Sequence, residues 1–326
     1  GDPAGGAGCS DEARLQAMVD VERAQAGAQG QGGVIPAAAL GPIEAACSAA
    51  LYAVPALSAP TALAGNPAIP LVKALTAQVK ANDADAARWV HWGATSQDII
   101  ATGAVLQLRA AVSHVRARLQ VLCSALARLA EAERGTGLPG RTLLQQAVPV
   151  TFGLKAAGWL DALQRSQRRL DALADDTLVL QFGGAAGTLA SLQARGLDVA
   201  EALAGELQLP LPALPWHTAR DRIAEFGSVF ALLTGSLGKI ATDIVLLMQS
   251  EVAEALEPAG EGQGGSSPMP PKRTPAGRVA ALAAPTRVPG PLSPLPIPLP
   301  PPHVRAPRPS HAPSATRSGR CGASAT

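Results

Sequence analysis

Aromatic side chains are scarce in this 326-residue chain: Phe, Trp and Tyr together make up 3% of it. A large β-sandwich draws its core from aromatic and β-branched residues. The shortage, with Ala, Leu and Val dominant, points instead to helices packed through aliphatic seams. Cysteine is also sparse. Cys9, Cys47, Cys123 and Cys321 lie far apart and form no C-x-x-C pair. That spacing suggests neither a disulfide framework nor a thiolate metal site, and it fits a reducing cytoplasm. No run of about 18 uninterrupted apolar residues occurs, so no membrane span is expected. Gly1 to Gly8 lacks the basic-then-apolar order of a signal peptide. The net charge of +2 is deceptive, because residues 291–326 hold Arg305, Arg308, Arg317 and Arg320 and no acid. Removing those four from the 27 basic residues leaves 23 against 25 acidic ones, a balance of −2. Nucleic-acid binding needs a basic face, so no nucleic-acid partner is expected.

What the chain does have is periodicity. Leu108, Val112, Val115, Leu119, Leu122, Leu126 and Leu129 are spaced 4, 3, 4, 3, 4, 3. That seam predicts a helix of roughly 35 residues, on the order of 50 Å long. A second long helix is predicted from near Pro149, carrying Leu160, Leu163, Leu170 and Leu173. A third begins about Asp221, with Ile223, Phe226, Phe230, Leu233, Leu237, Ile240, Ile244 and Leu247 in the same alternation. Upstream, residues 11–26 read as a helix capped by Ser10 and broken by the glycine run Gly27 to Gly33. Residues 36–50 and 67–80 read as short helices, each opened by a proline. The expected fold is all-α: an N-terminal helical domain over 1–97, a central long-helix bundle over 98–290, and a Pro/Arg/Ser-rich tail over 291–326. Eight prolines between Pro289 and Pro302 forbid helix there and favour extended, solvated chain.

One stretch is built for neither core nor simple connection. Gly264-Gly265-Ser266-Ser267-Pro268-Met269-Pro270-Pro271-Lys272-Arg273-Thr274-Pro275 combines glycines, prolines, paired hydroxyls and an ammonium. It has too little apolar surface to offset the ordering of its backbone, and it reads as a ligand-facing loop. It resembles the GSSxMPxKxNP signature of the fumarase/aspartase superfamily. Two further stretches of that superfamily lie upstream in the right order, His91-Trp92-Gly93-Ala94-Thr95-Ser96-Gln97-Asp98 and Gly140-Arg141-Thr142-Leu143-Leu144-Gln145. The segments Ala64 to Val72, Leu180 to Gly187 and Pro215 to Arg222 are similar to the branch of bacterial 3-carboxy-cis,cis-muconate cycloisomerases. The likeness runs from about Ser10 to about Gly290.

The resemblance implies a five-helix central bundle, a homotetramer with active sites shared between chains, and a cofactor-free, metal-free reaction. It implies addition to, or elimination from, a carbon next to a carboxylate, on a small tricarboxylate substrate. Such chemistry needs a base that reaches the carbon and fixed donors for the charge that builds up. By the resemblance Ser266 is that base, with Ser267 beside it and Lys272 helping to hold the alkoxide. His91 would orient or protonate the substrate. Thr95, Ser96 and Gln97 precede a helix, where unpaired amides favour a carboxylate. Arg141, Thr142, Gln145, Asn66, Arg220 and Arg222 complete the expected substrate contacts, a guanidinium fork matching a carboxylate.

Departures from the pattern carry information too. Leu143 stands where the hydrolyase and lyase branches carry histidine, which argues against fumarase, aspartase and adenylosuccinate lyase. Pro268, Pro271 and Thr274 replace other residues in the serine loop, and each added proline deletes an N–H donor. Three readings stay open: a cycloisomerase, another lyase of the superfamily, and a non-catalytic remnant. Family-like sequence stops after about residue 290, and the expectation is that a shifted reading frame beyond that codon would restore it.

Overall fold

The computed structural model describes residue 8 and residues 10–256. They form ten regular helices or strands joined by short 3-10 turns. Helices α1 (Asp11–Gln31), α2 (Leu40–Ala46), α3 (Val54–Ala64) and α4 (Ala68–Asn82) come first. The long α5 (Ser96–Ala132) follows, then a hairpin of β1 (Gly137–Thr142) and β2 (Gln145–Thr151). Helices α6 (Phe152–Thr177), α7 (Gly196–Leu207) and α8 (Asp221–Leu247) close the described chain.

The seams read from the sequence carry the bundle. On α5, Val112, Leu119 and Leu126 are buried, while Leu108, Val115, Leu122 and Leu129 pack against the core beside them. On α8, Phe226, Leu233 and Leu247 are buried at the predicted spacing. α6 packs between these two helices, burying Ala156, Trp159, Leu163, Leu170 and Leu173. Two apolar cores result. One gathers α1, α2, α4, α7 and the first half of α5, with Phe182 and Trp216 inside it. The other gathers the far half of α5 with α6, Leu138 and the end of α8. α8 is long and apolar enough to cross a membrane by length and composition. Its ion pair Lys239–Asp243 and its seam packed on α6 suit a bundle helix equally well.

Three expectations are corrected. The fold is mostly helical but not purely so, because residues 137–151 make a two-stranded antiparallel hairpin. Pro149 therefore lies in β2, opposite Pro139, and α6 begins three residues later, where Thr151 Oγ1 accepts from Leu154 N at 3.1 Å. The glycine run does not break α1 at Gly27. The helix continues to Gln31, because Gly30 lets Leu40 approach so closely that a Cβ would sit 2.6 Å from it. The turn comes only at Gly33, whose φ of 65° suits glycine.

A candidate active site at the start of the long helix

Thr95 caps α5 with extended backbone (φ −125°, ψ 160°), and Ser96 and Gln97 begin its first turn, all three half-buried. The side chain that organises this end is Asp98, which is fully buried. Its Oδ2 accepts from Thr95 N at 3.0 Å and Gly184 N at 2.9 Å. Its Oδ1 accepts from Gln181 Nε2 at 3.0 Å and Gly183 N at 3.1 Å. A buried carboxylate is tolerable only when so satisfied, and the helix N-terminus adds favourable partial charge. The result is a tie between α5 and the loop 180–187. That loop is tied in turn to the loop before α8. Gln181 Oε1 accepts from Trp216 N at 2.6 Å, and Trp216 Nε1 donates to Leu180 O at 3.0 Å.

Two histidines and an arginine gather there. His217 sits over Gly183, where a Cβ would lie 2.5 Å from its Cε1, so only glycine admits the ring. Its Nε2 approaches Asp98 Oδ1 to 3.1 Å without hydrogen-bond geometry, and it has no other partner among the described residues. Arg220 lies over the Trp216 ring, 5.2 Å from its centroid, and its buried Nη1 has no partner either. Burial pulls the Arg220 pKa below its ordinary value, yet a guanidinium stays cationic at any physiological pH. On the other side, His91 Nδ1 meets Glu22 Oε1 at 2.6 Å. Burial disfavours the His91 cation. The hydrogen bond and charge of Glu22, with the charge of Asp98, overcome it and hold the pKa above the usual imidazole value.

The structure brings His91, Thr95, Ser96, Gln97 and Arg220 to this one end. It does not bring Arg141, Thr142 and Gln145 there. They lie on the hairpin that follows the far end of α5, which at 37 residues spans about 55 Å. Thr142 and Gln145 are exposed partners across the turn. Arg141 forks Glu254 instead, with Nη1 to Oε2 at 2.7 Å and Nη2 to Oε1 at 2.6 Å. That bond holds the arginine pKa above its usual value and the Glu254 pKa below its own. Arg222 Nε donates to Asp176 O at 2.9 Å. Ser266, Ser267 and Lys272 lie outside the described residues.

Asn66 has a local task. Its Oδ1 accepts from Ala68 N at 3.1 Å and Ile69 N at 3.2 Å, opening α4. Replacing it with alanine is expected to cost about 1 kcal/mol of stability, as lost caps do. Urea unfolding of Asn66→Ala measures this, and a change below about 0.3 kcal/mol would show the cap to be idle.

Sequence reasoning gave no role to Glu22, Gln181 or His217. Gln181 and His217 stand inside stretches that were recognised. Glu22 left a fainter signal: with Gln25 and Gln29 it makes a polar line at spacings 3 and 4 along an otherwise apolar helix face.

A family model described as a lyase matches residues 7–290. The chain is 56% identical over 283 residues to a 3-carboxy-cis,cis-muconate cycloisomerase of Bradyrhizobium diazoefficiens, covering 87% of this chain and 63% of that protein. It is 55% identical to the protein of the same name from Pseudomonas aeruginosa, covering 91% and 65%. Among solved structures, the 3-carboxy-cis,cis-muconate lactonizing enzyme from Pseudomonas putida superposes with a TM-score of 0.85 at 50% identity, covering 89% of this chain and 64% of that one. The chain thus spans just under two thirds of the length of each of these three relatives.

Proposed function

Because this chain belongs to the lyase family of the fumarase/aspartase superfamily, we propose that it acts as a cycloisomerase interconverting 3-carboxy-cis,cis-muconate and 4-carboxymuconolactone. In the closing direction, a carboxylate oxygen of the substrate bonds to a carbon of the conjugated diene. One C=C bond is consumed, and a proton is delivered to the neighbouring carbon. No redox partner is needed. In this reading Ser266 transfers the proton, with Ser267 and Lys272 beside it. The Thr95 hydroxyl and the amides of Ser96 and Gln97 hold a substrate carboxylate at the start of α5.

The observation that carries the reading is the buried Arg220 Nη1 at that helix start, a donor with no hydrogen-bond partner among the described residues. A buried donor without a partner is rare in folded proteins, and a ligand carboxylate supplies what the guanidinium lacks. Arg141, Thr142 and Gln145 lie a helix length away, so in this reading neighbouring copies in a homotetramer bring them to the same substrate. The domain division at 97/98, the tail beyond 290 and a cytoplasmic setting belong to the same proposal.

Two measurements test it. Ultraviolet absorbance should fall as the muconate diene is consumed in the presence of the protein. Calorimetric titration with 3-carboxy-cis,cis-muconate should show Arg220→Met weaker by on the order of 100-fold, the loss of a charge-assisted contact in a desolvated site. Binding without diene loss would reject the reaction. Equal affinity in the variant would reject the site.

A further inference from the structure

α1 is a core helix, yet it buries three polar side chains along one face: Glu22, Gln25 and Gln29, at 2%, 1% and 0% exposure. All three reach the same turn. Glu22 Oε1 meets His91 Nδ1 at 2.6 Å. Gln25 and Gln29 both donate Nε2 to Trp92 O, at 2.8 and 2.6 Å. Packing alone does not call for this arrangement. Apolar side chains would serve the core better, and both glutamines leave a buried Oε1 without a hydrogen-bond partner among the described residues.

The turn they grip has an uncommon shape. His91 has φ of 59°, in the left-handed region that residues with a Cβ seldom adopt, and Gly93 follows at 76°. Gly93 is wedged against Leu192, so a Cβ there would lie 2.7 Å from that side chain. Such backbone persists only where its surroundings over-determine it, and it gathers at functional sites.

We infer that the polar stripe of α1 is a positioning device for His91, in which Glu22 fixes the imidazole tautomer and the two glutamines fix the turn. This rests on reading the start of α5 as the substrate site. An ionised carboxylate only accepts, so the hydrogen bond to Glu22 places the proton on Nδ1. Nε2 then becomes the atom that gains or loses a proton when the ring titrates. The ring keeps 18% of its side-chain surface open, enough for a ligand to reach it. The charged and titratable groups around it are Glu22 from α1 and Asp98 from α5, with His217 beyond Asp98. Because the His91 pKa is raised on folding, the pairing contributes its full stability below the ordinary imidazole pKa. That contribution is lost as pH rises through the raised value.

The test is nitrogen-15 NMR of the whole chain, with the His91 signal among the five histidines identified by its absence in His91→Gln. At high pH the ring should be the Nδ1–H tautomer, and its titration midpoint should lie above that of a free imidazole. In Glu22→Gln the midpoint should move down. In Gln25→Leu it should stay, although the unfolding midpoint changes. A stripe that only packs, with no bond from Glu22 to the ring in solution, would move unfolding in both variants and the titration in neither. An Nε2–H tautomer in the unaltered protein, which needs no variant to fold, overturns the inference. So does a Glu22→Gln titration that matches the parent. If His91 behaves as expected while the muconate diene is left unchanged, the positioning stands and the assigned reaction falls.

Discussion

Asp98→Leu is expected to lose about 3–5 kcal/mol of folding stability, the scale seen when one partner of a buried charged network is removed. The carboxylate is fully buried and serves four donors: Thr95 N, Gln181 Nε2, Gly183 N and Gly184 N. Leucine fills similar space but leaves all four N–H groups inside the protein without an acceptor. Each orphan costs about 1–3 kcal/mol before relaxation. Local opening of the 180–187 loop would recover part of the loss, which keeps the total below the simple sum. Asp98→Asn should fall between, since one oxygen remains and the new amide points donors at donors. Urea midpoints at constant m-value measure the series. A leucine variant within 1 kcal/mol of the parent would mean that the tie between α5 and the loop contributes little.

Trp216→Ala should be comparably damaging, for a different reason. The indole is 2% exposed, sits in the first core and donates to Leu180 O. Truncation opens a cavity the size of the ring system and orphans that carbonyl, at a cost of about 3–5 kcal/mol. It also removes the aromatic face beneath Arg220, a cation–π contact of about 0.5–2 kcal/mol. Affinity for a tricarboxylate should therefore drop alongside stability. Trp216→Phe separates the two effects, because it keeps a ring under the guanidinium while deleting the N–H and part of the buried volume. Unfolding and calorimetric titration of both variants would show it. A phenylalanine variant as weak in binding as the alanine one would mean that the ring platform does not position Arg220.

How far the sequence announces all this depends on which force is at work. The long helices were legible because burial repeats every three or four residues. The seam from Leu108 to Leu129 and the one from Ile223 to Leu247 are each a direct record of which side faces the bundle. The hairpin was not legible. Gln145 to Thr151 is short, bears a proline and is mostly exposed, so no period-2 burial marks it. α3 and α7 leave no clear mark in the sequence either. α3 has no fully buried residue to betray it, and α7 lies between loops whose proline and glycine content masks its seam.

The candidate site divides in the same way. His91, Thr95, Ser96, Gln97 and Arg220 could be named because they stand in contiguous motifs at a helix start. Glu22 could not, since its partner lies 69 residues away and only the folded chain sets them side by side. Asn66 shows the converse. A short polar residue before a helix has an amide-capping duty that explains its presence without any ligand.

The facing prolines of the hairpin bear on how the protein avoids unwanted company. Residues directly opposite in an antiparallel ribbon either trade two hydrogen bonds with each other or direct those groups outward. Pro139 and Pro149 have no N–H to trade. Their level of the ribbon is therefore an outward-directed one, and each margin lacks a donor at the same height. A foreign strand laid along either side would find its ladder interrupted there, so a ribbon that pairs with no third strand among the described residues is a poor template for fibrils.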